Sequence, residues 1–342
     1  MDVAQRAGVS RTTASFVMTG RNDMRISADA QERVLRAARE LNYRPSLLAR
    51  SLRTNRSQTI GMLSDGVAAD AFAGEMVRGS VTSALLHEHL LFIAETAGDP
   101  ALEKRLVHNM LDRGVTGFVL ASMYTRKVRV SASLRAHPLV LMNCVTRART
   151  VPTVIPDERA AGRTAARALL RRGHTDDIVL VGETPSNIIA AGERLAGITD
   201  VLDSQGLVLA GSIPTLWWPE PAFAAVSEYL ALGHRPSALI CLNDRIAMGA
   251  YQACHGAGLT VPEDVSVVSF DDSDLAGWLA PQLTSVAIPH FEMGRRAVEI
   301  LLSEHRPPEV HLVPMTLRER DSIAAPSPRH RPRRRPAAIP RP

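Results

Sequence analysis

From Thr59 to Phe270 the chain alternates short apolar runs with longer amphipathic stretches, and this alternation constrains the fold more than any other feature. The runs are Ile60-Gly-Met-Leu63, Leu90-Leu-Phe-Ile93, Gly117-Phe-Val-Leu120 and Leu139-Val-Leu-Met142, then Ile178-Val-Leu-Val181, Ala238-Leu-Ile-Cys-Leu242 and Val265-Ser-Val-Val-Ser-Phe270. They are short and mostly continuous in apolar character, which is the pattern of strands covered on both faces. Helices fill the gaps: to about His89, to near Arg113, from Asp157 to Gly173-His174, through Arg194, and from Asp244. Two such series predict two doubly wound parallel sheets, with ligands expected beyond the carboxyl ends of the strands, in the cleft between lobes.

The first 57 residues follow a different rule. Asp2 to Ala7 reads as a short helix, Gly8-Val9 as a turn, and Ser10 as the N-cap of a second helix. In that helix Ala14, Val17 and Met18 form an apolar stripe, while Arg11, Thr12, Ser15, Phe16 and Thr19 share the other face. Ser27 caps a third helix through about Asn42, with Val34, Ala38 and Leu41 inward and Arg33, Arg36 and Arg39 outward. This is a helix-turn-helix pattern, whose second helix enters a DNA major groove N-terminus first. Pro45 then opens a fourth, short helix with Leu48, Ala49 and Leu52 on one side, marginal without a partner because nucleation is costly.

Charge is segregated along the chain. Residues 1–57 carry a net +6, residues 58–323 a net −7, and residues 324–342 a net +6. A polyanion is drawn to the N-terminal segment and repelled by the body. The 45% apolar content is ordinary for a soluble protein. No apolar run is long enough to span a bilayer and no signal-peptide core opens the chain, so a cytoplasmic, membrane-free protein is expected. Cys144, Cys241 and Cys254 read as reduced structural thiols, and His87, His89, His108 and His290 lack metal-ligand spacing. Neither glycine-rich phosphate-loop pattern occurs, so no catalytic residue, cofactor or metal is expected. The Arg- and Pro-rich tail, 324–342, reads as disordered and solvated.

Three N-terminal segments match one family's headpiece at its spacing: Asp2-Val-Ala-Gln-Arg-Ala-Gly-Val-Ser-Arg-Thr-Thr-Ala-Ser15, Leu41-Asn-Tyr-Arg-Pro45 and Leu48-Ala-Arg-Ser-Leu52. The chain resembles the LacI/GalR transcriptional regulators. Gly173-His174, Glu193-Arg-Leu-Ala-Gly197, Leu242-Asn-Asp244, Ala247-Met-Gly249 and Val261 to Asp272 resemble the periplasmic-binding-protein-like core of that family, over nearly all of 59–323. Pro281-Gln-Leu-Thr-Ser-Val286 looks like the family's crossover back to the first lobe.

The resemblance implies a headpiece (1–43), a hinge and linker (44–57) and a two-lobed core (58–323). Lobe 1 takes about 58–155 and 287–317, and lobe 2 about 156–286 and 318–323. It implies that Arg11 and Thr12 read bases, with Ser10, Thr13, Ser15 and Thr19 on phosphates; Arg suits guanine O6 and N7, and hydroxyls suit phosphate oxygens. Phe16 stands where many members carry Arg, and either packs on a thymine methyl or adds nothing to readout. In the hinge, Leu52 is the minor-groove wedge, Ala49 permits close helix approach, and Arg50 holds the backbone. Arg194, Asn243 and Asp271 fall at effector-contacting positions, with Trp217 or Trp218 stacked on a ring face. Phe72 stands where an aromatic often follows Asn-Pro, but here follows Ala69-Asp70-Ala71. Against these roles, Asn243-Asp244 also suit a helix cap and Asp271-Asp272 a turn; the cap or turn is favoured for Asp244 and Asp272. The implied function is an effector-controlled repressor: a homodimer on palindromic double-stranded operator DNA, with a sugar or sugar derivative between the lobes. The alternatives are a corepressor-dependent regulator and, counted against by the headpiece and the missing export signal, a transport binding protein.

Overall fold

The computed structural model describes residues 3–18, 26–43, 58–67 and 74–328. It divides into two compact units, one ending at Gln58 and one beginning at Thr59, and each is described by itself.

In the first unit α1 (Val3–Ala7), α2 (Arg11–Met18) and α3 (Ala28–Glu40) enclose a small core of Val3, Ala4, Ala7, Ala14, Val34, Ala37 and Ala38. Val17, Met18 and Leu41 pack on its edge, as the stripe predicts. Gly8 adopts φ +65, the left-handed conformation that ends α1 and that glycine enters without penalty. Ser10 Oγ then accepts from the Thr13 amide at 3.0 Å and starts α2, while Ser27 Oγ accepts from Ala30 at 3.3 Å and starts α3. Arg33 is not simply outward: its Nη1 donates to the Ala7 carbonyl at 3.1 Å and closes the end of α1.

The second unit holds two six-stranded sheets. The first contains β1 (Thr59–Asp65), β2 (Leu90–Glu95), β3 (Phe118–Lys127), β4 (Leu139–Val145), β5 (Thr153–Pro156) and β11 (Val310–Val313), in the order β11-β5-β4-β3-β1-β2, all pairs parallel. The second contains β6 (Ile178–Val181), β7 (Gly211–Ile213), β8 (Ala238–Cys241), β9 (Ser266–Asp271), β10 (Thr284–Ala287) and β12 (Thr316–Arg318), in the order β12-β10-β9-β8-β6-β7. Only its edge pair β10–β12 is antiparallel among the described strands. These are two doubly wound parallel-sheet lobes. The seven apolar runs all lie in strands, and β4 and β8 are buried almost throughout because helices cover both faces.

Flanking the first sheet are α4 (Gly74–Leu86), α5 (Pro100–Leu111), α6 (Ala132–Arg135) and α12 (His290–Leu302). The second is flanked by α7 (Glu158–Arg171), α8 (Ile189–Ser204), α9 (Pro219–Ala231), α10 (Asp244–Gly256) and α11 (Asp274–Trp278). The helix expected to run through Arg194 continues ten residues further, to Ser204, so Arg194 sits near its start. Thr284–Ala287 is a strand of the second sheet, so the return to the first lobe begins at Ile288, later than the matched motif suggested. Among the described residues no helix is long and apolar enough to cross a membrane. The three cysteines are buried and unpaired, and burial pushes the Cys144 thiol up to about 12.

Candidate functional site

A cleft of about 1360 Å³ opens where the carboxyl ends of both sheets face each other. The first lobe contributes Asp65 at the end of β1, Tyr124 and Arg126 from β3, and Asn143 from β4. From the second lobe come Glu183 after β6, Trp217 and Trp218 after β7, Asn243 after β8, and Asp271 at the end of β9. On one side β3 bridges the lobes, with the Lys127 amide donating to the Asn187 carbonyl at 3.4 Å.

Arg194 is the centre of the second-lobe wall. It is 2% exposed, and its Nε and Nη2 donate to the two carboxylate oxygens of Glu158 at 2.6 and 3.2 Å. Its Nη1 donates to the Leu242 carbonyl at 2.5 Å and lies 3.6 Å from Asp271 Oδ1. The guanidinium carbon lies over the rings of Phe270 and Trp217, 4.7 and 5.7 Å from their centres. Burial opposes the charge, but Glu158, Asp271 and Asp244 outweigh it and hold the Arg194 pKa above its ordinary value.

Close packing of α7 on α8 brings Glu158 to Arg194. Gly162 and Gly197 sit at the crossing, where a Cβ on Gly162 would lie against the Arg194 carbonyl and one on Gly197 against the Arg159 carbonyl. On the same pair of helices Asp200 accepts from Arg159 and Arg163 at 2.7 to 2.9 Å, which fixes the register from the solvent side.

Asn243 caps a helix and also lines the cleft. Its Oδ1 accepts from the Ile246 amide at 2.8 Å and caps α10, while its Nδ2 donates to the Trp217 carbonyl at 3.4 Å on the cleft wall. Asp244 is not the cap. It is fully buried and accepts from the hydroxyls of Ser269, Ser285 and Ser273 and from the Ser273 amide, tying α10 to β9, β10 and α11.

Asp271 and Asp272 have φ of +110 and +54, in a region that costs a side chain on the order of 1–3 kcal/mol. Asp272 holds the conformation in place. Its amide donates to Ser285 Oγ at 2.9 Å, and its carboxylate pairs with Arg320 at 2.6 Å and Arg318 at 3.7 Å. Asp271 is thereby turned toward the cleft. Burial pushes its carboxyl well above the usual carboxylate range; Arg194 and Arg245 pull it down, and Asp244 and Glu158 push it further up.

Trp217 is half-buried with its indole N–H on the Glu183 carbonyl at 3.1 Å, whereas Trp218 is 55% exposed with the Arg245 guanidinium 4.5 Å from its ring centre. Phe72 lies outside the described residues, as do Thr19, Ala49, Arg50 and Leu52.

In the headpiece Arg11 and Thr12 are exposed at the start of α2, and Thr13, Ser15 and Phe16 are half-buried. Ser10 and Thr13 hydroxyls bond to each other at 2.8 Å. Phe16 is not among the described residues of the headpiece core.

Sequence reasoning passed over Glu158, which resembled an ordinary acid in a first helical turn, and Asn143. The signal for Asn143 was present: a lone amide closing an apolar run. It has φ +57, and its side chain donates to the Met123 carbonyl at 2.9 Å and accepts from Thr125 at 2.7 Å. The Asp65–Arg126 ion pair was likewise not foreseen.

Residues 1–46 match the family model described as bacterial regulatory proteins, lacI family, and residues 166–323 match a periplasmic binding protein-like domain. The chain is 31% identical to the ribose operon repressor of Haemophilus influenzae, over 90% of this chain and 92% of that one. It belongs to the LacI family of bacterial regulatory proteins. A second LacI-family relative, the HTH-type transcriptional repressor PurR of Erwinia tasmaniensis, is 33% identical over 94% of this chain and 96% of its own. Among solved LacI-family structures, the Lac repressor dimer bound to operator and the anti-inducer ONPF superposes with a TM-score of 0.79. It is 27% identical and covers 95% of this chain and 98% of its own.

Proposed function

We propose that this chain is a sequence-specific DNA-binding repressor whose operator affinity is set by a small molecule, a sugar or sugar derivative, bound between the lobes. The observation that carries the reading is the union, in one chain, of a helix-turn-helix unit exposing Arg11 and Thr12 with a cleft onto which Arg194, Asn243 and Asp271 converge. Donor and acceptor groups at strand ends suit vicinal hydroxyls, and Trp217 or Trp218 offers an apolar face. The headpiece (1–43) reads the operator and the segment 44–57 couples it to the core (58–323). Two copies act together on a palindromic site, because one helix-turn-helix unit reads only a half-site. The function is binding and coupling rather than catalysis, in keeping with relatives that are repressors.

Electrophoretic mobility shifts with the full chain test this. A palindromic duplex is expected to be preferred over scrambled competitor, and a cleft ligand to change that preference. Equal affinity for both duplexes, with and without metabolites, rejects the reading. Within it, Arg11→Ala weakens operator binding by about 1–3 kcal/mol and random DNA little, whereas Arg50→Ala weakens both alike. Equal loss on both DNAs for the two variants removes Arg11 from base readout.

A further inference from the structure

The charge of the cleft narrows what enters it. Among the described residues, eight acidic side chains and four arginines line the cavity. Three of those arginines already face a carboxylate: Arg126 with Asp65, Arg194 with Glu158, and Arg318 with Asp272. Arg245, the fourth, lies over the Trp218 ring. The deepest part is the most unbalanced, because Glu158, Asp271 and the buried Asp244 surround the single guanidinium of Arg194.

Asp271 stands out among these groups. Its carboxylate accepts no hydrogen bond from any described residue, and Arg194 Nη1, at 3.6 Å, is beyond hydrogen-bond reach. Asp244, by contrast, is saturated by three serines, and Glu158 by Arg194. A strained backbone therefore presents one carboxylate, 85% removed from water, that accepts no hydrogen bond among the described residues. An anionic ligand would meet this acid excess with each of the four described arginines already engaged. A neutral hydroxyl satisfies the acceptor but not the charge; a protonated amine satisfies both.

Granting that the cleft is the effector site, we propose that its effector is a polyhydroxylated ring carrying a protonated amine and no anionic substituent, with the ammonium against Asp271. Asn243 and the indole of Trp217 bound the same wall and serve the ring itself. Binding pairs the Asp271 carboxylate with the ammonium. The groups facing it set the sign: Glu158 on α7, Arg194 on α8, Asp244 and Arg245 on α10, with Asp272 beside it held by Arg318 and Arg320. Burial raises the pKa of Asp271 in the empty cleft and an ammonium beside it lowers that pKa, so binding favours the ionised carboxylate. Affinity then rises with pH until the ligand amine itself deprotonates.

The test uses the full chain and matched sets: glucosamine, galactosamine and mannosamine, their parent hexoses, and the corresponding hexose 6-phosphates and uronic acids. Isothermal titration is expected to find one amino sugar bound about tenfold more tightly than its parent, with net proton release and no binding of the anionic members. Asp271→Asn is expected to remove the tenfold advantage while the parent sugar still binds, and Glu228→Gln, an exposed acid on α9 outside the cleft lining, to leave it in place. A parent hexose or a phosphate binding as tightly as the amine overturns the proposal and leaves the cleft reading intact. Failure of every amine to bind also overturns it. A ligand that shifts operator affinity yet binds equally to wild type, Asp271→Asn and Arg194→Lys overturns the cleft reading itself.

Discussion

Glu158→Leu is expected to lower the unfolding free energy by about 3–5 kcal/mol, one of the two largest effects the structure implies for a single substitution. Removing one member of a buried ion pair strands the other. Arg194, 2% exposed, would keep the Leu242 carbonyl, the 3.6 Å approach to Asp271 and the Phe270 and Trp217 rings, but would lose its paired carboxylate. Urea denaturation at neutral pH reads the loss as a shift in midpoint at unchanged slope. The double variant Glu158→Leu with Arg194→Met is expected to recover most of it, since apolar groups of similar volume replace a buried pair at little net cost. Equal loss in the single and double variants would mean that shape, not charge, is what Glu158 supplies. The double variant should also keep its operator affinity and lose its response to effector, separating the headpiece from the cleft.

Why the sequence hid this pair is a matter of distance along the chain. Glu158 and Arg194 are 36 residues apart, and each has an ordinary local excuse: an acid in a first helical turn, an arginine in a helix. Only the α7–α8 crossing puts them together. Residues whose place follows from local chemistry were legible, including Ser10 and Ser27 as caps, Gly8 as the turn, and the seven apolar runs as strands. Arg194, Asn243 and Asp271 were legible through the family motif, and the structure brings all three to one wall.

The misses have a common cause. β5, β7, β11 and β12 are three or four residues long, interrupted by Pro, Gly or polar side chains, and lie at or near sheet edges, where burial no longer enforces a continuous apolar run. The helix α9 begins at Pro219-Glu-Pro221, which reads as punctuation, although proline is well placed in a first turn whose amides have no helical partner.

The glycines of α7 and α8 allow the sharpest contrast. Gly162→Ala is expected to destabilise by about 3 kcal/mol or more, at the upper end of overpacking, because the new Cβ meets backbone rather than a movable side chain: the Arg194 carbonyl oxygen, with its carbon at 2.9 Å. Gly197→Ala should behave alike, its Cβ 2.9 Å from the Arg163 nitrogen. Gly192 lies on the same α8 with nothing within 4 Å of its Cβ position, so Gly192→Ala should stabilise by up to about 1 kcal/mol through helix propensity alone. If all three changed stability by the same small amount, the close crossing would be relaxed by helix translation. In that case Arg194 could not be held rigidly over the cleft. Loss at 162 and 197 with gain at 192 fixes the crossing as the scaffold on which the cleft wall is built, and, if the cleft holds the effector, effector affinity should fall with stability only in the first two.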